Sequence, residues 1–436
     1  MASEEATRTS GLPSAPRYAP ALALLATLFF MWGFITVINN TLLPHLRSVF
    51  QLNYTQTTLI ESTWFIGYLV ASIPAAKLIE RVGYQKALVV GLAIMTLGSL
   101  GMIPAARLPS YGVTLVSLFV VSCGIAILQV AANPYVAVIW PPDTSESRLT
   151  LVQAFNTTGD FLAVGFGQHL ILARTVAGTT LESSHLSYAQ RIADARATQL
   201  PYLIVAIILA ALAVVIGRAR LPELGAATRR VNAEARKHLS LWRHRNLVFG
   251  VIAIFIYLIA EIGVGNLFIS FASQPDIGNI THEQAANYLM VVWGGMAVGR
   301  FLGAFIMRSI APEKVLASFA LGAFVVMMIA SLAHGPTALY GLMAVGFFHS
   351  IMFPTIFALA IRGLGPLTEE GSGWLIWAIA GGALVIVQGR LADAFGIQHS
   401  FLLTAACELF VLYYAVRGAR PTQNLAPEQL SLDHAG

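Results

Sequence analysis

Twelve stretches of this chain are each apolar over about the length that a helix needs to cross a bilayer, some 20 residues. They fall near 21–45, 58–79, 86–105, 112–139, 149–172, 200–217, 246–272, 284–307, 314–333, 336–361, 371–390 and 399–417. Runs such as Ile204–Gly217, IVAIILAALAVVIG, do not alternate apolar with polar residues as a membrane strand does. A segment in hydrocarbon must satisfy its own backbone hydrogen bonds, so the runs predict helices. Composition closes the alternatives: of 436 residues, 57% are hydrophobic and 11% are charged. A soluble domain carries about 25% charged residues. A soluble enzyme and a secreted disulfide scaffold are therefore excluded.

The basic residues set the orientation. Of the 26 Lys and Arg, nineteen fall on the side of both termini, six on the other, and Arg300 lies inside the eighth run. The positive-inside rule then puts both termini in the cytoplasm. The longest interior link, 218–245, holds Arg218, Arg220, Arg229, Arg230, Arg236, Lys237, Arg243 and Arg245. It reads as a topology anchor against the inner membrane. No basic helix interleaved with aromatics suggests nucleic acid. Residues 1–20, with Pro13, Pro16 and Pro20, read as a polar cytoplasmic tail, and Ala21 to Leu43 as an uncleaved first span. Cys123 and Cys407 lie in apolar runs and imply neither a disulfide nor a metal.

The basic link follows six spans, and a faint repeat supports two halves. AAKLIERVGYQKAL (Ala75–Leu88) ends the second span and GAFIMRSIAPEKVL (Gly303–Leu316) the eighth; aligning Ala76 with Gly303 aligns Arg81 with Arg308. The expected organisation is a tail (1–20), a six-helix bundle (21–217), a basic linker (218–245), a second six-helix bundle (246–417) and a tail (418–436). This is an all-α membrane protein of two pseudo-symmetric bundles, with a cavity between them near the midplane. Leu78, Glu80, Arg81, Gly83 and Lys86 resemble the major facilitator loop pattern G-x-L-x-D-R-x-G-x-[RK], with Ala76 for Gly and Glu80 for Asp. The acid there can cap helix N-termini of the neighbouring half while the bases pin a gate. Glu80, Arg81, Lys86 and Arg308 are the gate candidates.

Polar groups inside the spans are costly and mark function. The first span has Asn39 and Asn40, then Pro44 and His45; the fourth has Gln129, Asn133 and Pro134; the fifth has Gln153, Asn156 and Asp160. The seventh has Glu261 and Asn266, the eighth Asn287 and Arg300, the tenth His349 and Pro354, and the eleventh Trp374, Trp377 and Gln388. Gln129 and Asn133 share a helix face, and Gln153, Asn156 and Asp160 form one stripe. Amides and acids on a cavity wall offer donors and acceptors in pairs, as sugar hydroxyls require. Rings such as Trp32, Trp374 and Trp377 can stack on the C–H face of a pyranose. The competing structural role is amide glue between helices, worth about 0.6 kcal/mol each. Pro134 and Pro354 occupy equivalent places in the two halves and are read equally as gating bends and static kinks.

At these residues the chain resembles a known family. FFMWGFITVINNTLLPHL (Phe29–Leu46), ILQVAANPYV (Ile127–Val136), RLTLVQAFNTTG (Arg148–Gly159), GQHLIL (Gly167–Leu172), EQAANYL (Glu283–Leu289), GRFLGAF (Gly299–Phe305) and FPTIFALAIRGLG (Phe353–Gly365) are similar to the fucose:proton symporter family of the major facilitator superfamily. They are closest to its glucose/galactose branch. The resemblance implies import of a monosaccharide with a proton or sodium ion moving alongside. Three positions depart from the family: Asn40 replaces its usual acid, Gln129 stands where the fucose branch has a glutamate, and Asp160 stands where the family is small or apolar.

The sugar-binding candidates are therefore Asn39, Asn40, Gln129, Asn133, Gln153, Asn156, Glu261, Trp32 and Trp377. The acids singled out within the spans are Asp160 and Glu261, candidates for ion coupling, with Arg300 the base able to neutralise one of them. His349 can titrate but reads more readily as a satisfied cavity histidine. Proton symport, sodium symport and uncoupled facilitation remain open, as does an antiporter for another small organic solute. No H-x-x-x-H pair, phosphate loop or serine elbow supports a membrane enzyme, so no catalytic residue, metal or bound cofactor is expected. The partners expected of this monomer are a sugar and the bilayer.

Overall fold

The computed structural model describes residues 19–50, 54–107, 110–138, 144–170, 196, 199–219, 221–222 and 232–421; side chains at 19, 37–50, 54–61, 164–170 and 282–283 lie outside the described set. The candidates Asn39 and Asn40, with Pro44 and His45, thus lie outside the described side chains, as does most of both tails.

Every predicted span is helical over its described residues. The first six are α1 (Ala19–Phe50), α2 (Tyr54–Val82), α3 (Tyr84–Arg107), α4 (Tyr111–Val138), α5 (Ser145–Leu170) and α6 (Gln199–Arg218). After the link come α7 (Arg245–Ala272), α8 (His282–Ile306) and α9 (Pro312–Leu332). The tenth span is broken into α10 (Gly335–His349) and α11 (Met352–Ile361). The eleventh is α12 (Thr368–Trp377), a tighter 3₁₀ stretch (Ala378–Leu384) and α13 (Val385–Phe395); the last is α14 (Ile397–Tyr413). Among the described residues, ten segments are long and apolar enough to cross a membrane, and none forms a strand. Val116, Ile207, Val298 and Phe305 stand exposed, as the lipid-facing side of such a bundle requires.

Local chemistry sets the ends. Gly83 joins α2 to α3 at φ 88°, a left-handed conformation that favours glycine, and its N–H reaches the Ile79 carbonyl at 2.8 Å. Thr281 and Gln284 exchange hydrogen bonds at 3.2 Å and cap the start of α8. The break in the tenth span has a proline at its root. Pro354 has no N–H to give to the carbonyl four residues back, that of Ser350. That carbonyl accepts instead from Arg300 Nε at 2.9 Å.

Helices before the link pack chiefly on one another (α3 on α4 and α6, α1 on α5, α2 on α4), as do those after it (α9 on α10 and α14, α7 on α14, α8 on α10). The two sets meet where α5 packs on α8 and α11, and where α12 packs on α2 and α4. At the end where the link lies, ion pairs seal this junction. Arg362 Nη2 binds Glu146 at 2.6 Å and its Nη1 binds Glu313 at 2.5 Å. Arg236 of the link binds Glu80 at 3.0 Å, Glu369 at 3.5 Å and the Pro366 carbonyl at 2.7 Å. Ser147 Oγ donates to the Ala304 carbonyl at 2.5 Å. Buried Asn246 donates to the carbonyls of Leu359, Ala360 and Arg362, fixing the end of α11 from which Arg362 reaches out.

Of the four gate candidates, Glu80 alone takes part in these ion pairs among the described residues. Glu80 is engaged by Arg236 rather than by a helix N-terminus, while Arg81, Lys86 and Arg308 are exposed and form no ion pair among the described residues. The repeat located the turn but not the partners, which arrive from the link and from the starts of α5, α9 and α12.

A mid-membrane polar site

Arg300 is buried at the junction of the two sets of helices. Besides Ser350, it donates from Nη1 to the Gln153 carbonyl at 2.9 Å and to the Thr157 hydroxyl, both on α5. One guanidinium therefore ties α8, the break in the tenth span and α5 together. Its charge acts on both Asp160 of α5 and Glu261 of α7. The sequence reading has Arg300 able to neutralise one of the two acids; its charge bears on one from each half.

The amides divide into two kinds. Gln153 Nε2 donates to Asn133 Oδ1 at 3.2 Å, and both residues are buried, so this pair joins α5 to α4. Asn133 Nδ2 has no partner. Gln129 Nε2 meets the Tyr68 hydroxyl at 2.5 Å, a contact between α4 and α2. Asn156 Nδ2 donates to the Phe29 carbonyl at 2.9 Å. It can do so because α1 lies unusually close to α5. A Cβ on Gly33 would stand 2.3 Å from the Asn156 carbonyl and 2.8 Å from Asp160 Oδ1, and one on Gly159 would stand 2.2 Å from the Phe30 carbonyl. Small residues facing one another let the backbones approach. Asp160 and Asn156 remain half-buried one turn apart beside α1.

Trp32 is buried against Phe29, ring centroids 5.4 Å apart. Trp377 is half-buried and packs edge-on to Trp374, which packs on Trp242 of the link. Gln388 packs onto Gly263 with neither amide atom partnered, and Asn266 and Asn287 are exposed.

A third acid belongs to this region and was missed. Glu408 of α14 is fully buried and its Oε1 lies 2.8 Å from His349 Nε2. The signal was available, since Glu408 lies within the twelfth apolar run as plainly as Asp160 lies within the fifth. Tyr257, also unremarked, donates its hydroxyl to the His349 carbonyl at 3.0 Å and lies one turn before Glu261 on the same face of α7. No group of three or more metal-binding side chains occurs among the described residues.

The sequence profile of the Major Facilitator Superfamily matches residues 23–385. The chain is 42% identical over 408 residues to the glucose/galactose transporter of Brucella abortus biovar 1 (strain 9-941), covering 93% of this chain and 96% of that protein. It is 34% identical over 407 residues to the L-fucose-proton symporter of Escherichia coli (strain K12), covering 91% and 93%. Its fold is similar to the crystal structure of the transporter FucP in the outward conformation: TM-score 0.81, 32% identity, 92% of this chain and 98% of that one.

Proposed function

The chain belongs to the Major Facilitator Superfamily, and we propose that it carries a hexose of the glucose/galactose type across a bacterial inner membrane, with a proton moving alongside. The observation that carries this reading is the 42% identity, over 93% of the chain, with a protein named glucose/galactose transporter. The likeness to a protein named L-fucose-proton symporter supports the proton as the coupled ion. Both termini face the cytoplasm, and the monomer is the working unit.

In this reading the sugar lies between the halves at the level of Arg300. Gln129, Asn156 and Glu261 are the groups whose chemistry suits its hydroxyls; Asn39 and Asn40, proposed from the sequence for the same role, lie outside the described side chains. Trp32 and Trp377 supply apolar ring faces. Asn133 and Gln153 brace each other and shape the wall; each has a further donor or acceptor able to reach a hydroxyl. Asp160 and Glu261 sense the ion. Alternating access follows from where the contacts lie: the ion pairs of Arg362 and Arg236 close one end, and Arg300 is the hinge-level tie.

A second reading, uncoupled facilitation, draws on Asn40, which cannot titrate. The test for both is counterflow of labelled glucose, galactose and fucose in proteoliposomes, followed by accumulation under a proton or a sodium gradient. Exchange without accumulation favours the facilitator. No exchange of any hexose sinks the sugar reading.

A further inference from the structure

His349 and Glu408 form a pair at 2.8 Å between α10 and α14 that is 2% and 0% exposed. Nothing in the sugar site as drawn above uses it. Charge accounting shows what such a pair does. With one proton it is neutral overall, as imidazolium and carboxylate or as imidazole and carboxylic acid. Without that proton it carries one buried negative charge. Glu408 Oε2 has no hydrogen-bond partner that would soften such a charge. An uncompensated buried carboxylate is strongly disfavoured.

The surroundings supply little else. From α7 the pair is faced by Tyr257 and Glu261. From α8 comes Arg300, through the Ser350 carbonyl next to His349. On α9 no ionisable residue lies between Val315 and Leu332, and on α13 Arg390 and Asp393 are exposed. Cys407 is the neighbour on α14 itself. The contact with the sugar site runs through Tyr257, whose ring meets that of His349 edge-on at 5.5 Å, whose hydroxyl donates to the His349 carbonyl, and which lies one turn before Glu261 on the same face of α7.

We infer that the His349–Glu408 pair is a proton-holding site of the carrier and that Glu261 reads its state through Tyr257. The inference rests on the carrier reading proposed above. With the pair protonated, Glu261 is free to stay a carboxylate and accept from sugar hydroxyls. When the pair releases its proton to water, its negative charge opposes that of Glu261 and the sugar is held less firmly. No covalent bond other than N–H or O–H changes. The break in the tenth span begins at the residue after His349, so the imidazole sits where backbone can adjust.

Counterflow of labelled glucose or galactose by the unmutated protein in proteoliposomes tests the carrier reading by itself. Sugar-driven proton entry, read with a trapped pH dye, tests the inference. Glu408→Gln and His349→Gln are expected to keep counterflow and lose sugar-driven proton entry, and Glu408→Asp to regain it with a shifted pH profile. Glu408→Gln with wild-type proton entry per sugar overturns the inference. Counterflow by the unmutated protein with no proton entry overturns it too, leaving the carrier reading standing. Should Glu408→Gln fail to fold, the unmutated protein is treated with a membrane-permeant carbodiimide, which adds to protonated carboxyls. An adduct on Glu408 that grows as pH falls supports the inference; labelling of Asp160 or Glu261 with none on Glu408 at any pH overturns it.

Discussion

Arg362 and Glu146 lie 216 positions apart in the chain and meet at 2.6 Å across the junction of the two halves. Glu146 is 1% exposed and opens α5; Arg362 closes the tenth span and also holds Glu313. The seal at this end therefore depends on an acid that sequence inspection passed over, on an arginine held in place by Asn246, and on nothing that spacing alone brings together.

Glu146→Gln is expected to loosen that seal. A charge-assisted hydrogen bond of this kind contributes about 1.5–3 kcal/mol when one partner is neutralised. Arg362 keeps Glu313 and some access to water, so the lower end applies, roughly a tenfold shift toward the state open at the link-bearing end. Distances between spin labels on α5 and α11, measured by pulsed electron resonance, should lengthen in part of the population. An unchanged distribution would remove this pair from the gate.

Arg300→Lys is expected to abolish transport while leaving a folded but less stable protein. An ammonium cannot serve the Ser350 carbonyl, the Gln153 carbonyl and Thr157 in the planar arrangement the guanidinium uses. Each buried carbonyl left bare costs about 1–3 kcal/mol. Thermal melting in detergent and hexose counterflow read the two effects, and a variant with wild-type exchange contradicts the tie assigned to Arg300.

Gly33→Ala is expected to push α1 away from α5, because its new methyl would stand 2.3 Å from the Asn156 carbonyl. Overpacking of this sort costs about 1–3 kcal/mol. The Asn156–Phe29 hydrogen bond should be lost with it, and sugar affinity should fall. Gly112→Ala is the control, since a Cβ there meets nothing within 4 Å. Equal melting temperatures for the two variants would refute the close approach.

Asp160→Asn removes one of the two acids under the field of Arg300. Counterflow, which needs no ion gradient, should persist. Accumulation driven by a pH gradient should fall, as expected when an intramembrane acid serves coupling. Undiminished proton entry would take Asp160 out of the mechanism.

Much of the molecule was readable from the chain itself. The bilayer forces backbone groups to pair within each segment, so apolar length alone is enough to draw the helices, and Lys and Arg placement is enough to mark the link. The turn at Gly83 was visible as a motif, and the polar residues of the fourth, fifth and seventh spans as exceptions to lipid chemistry. Glu408 was equally visible and was overlooked. The partners were not visible: that Gln153 would spend its amide on Asn133, that Glu80 would face Arg236, or that Trp374 would pack on Trp242 of the link.

Periodicity and hydropathy are properties of one segment at a time, and they determined the spans, their number and the residues that do not belong in lipid. Which of those residues meet depends on the rotation and tilt of each helix against its neighbours. Packing sets these, through small residues such as Gly33 and Gly159 and through the carbonyl that Pro354 leaves for Arg300. Only the folded bundle decided that, because a contact between distant positions has no local signature for a linear chain to carry.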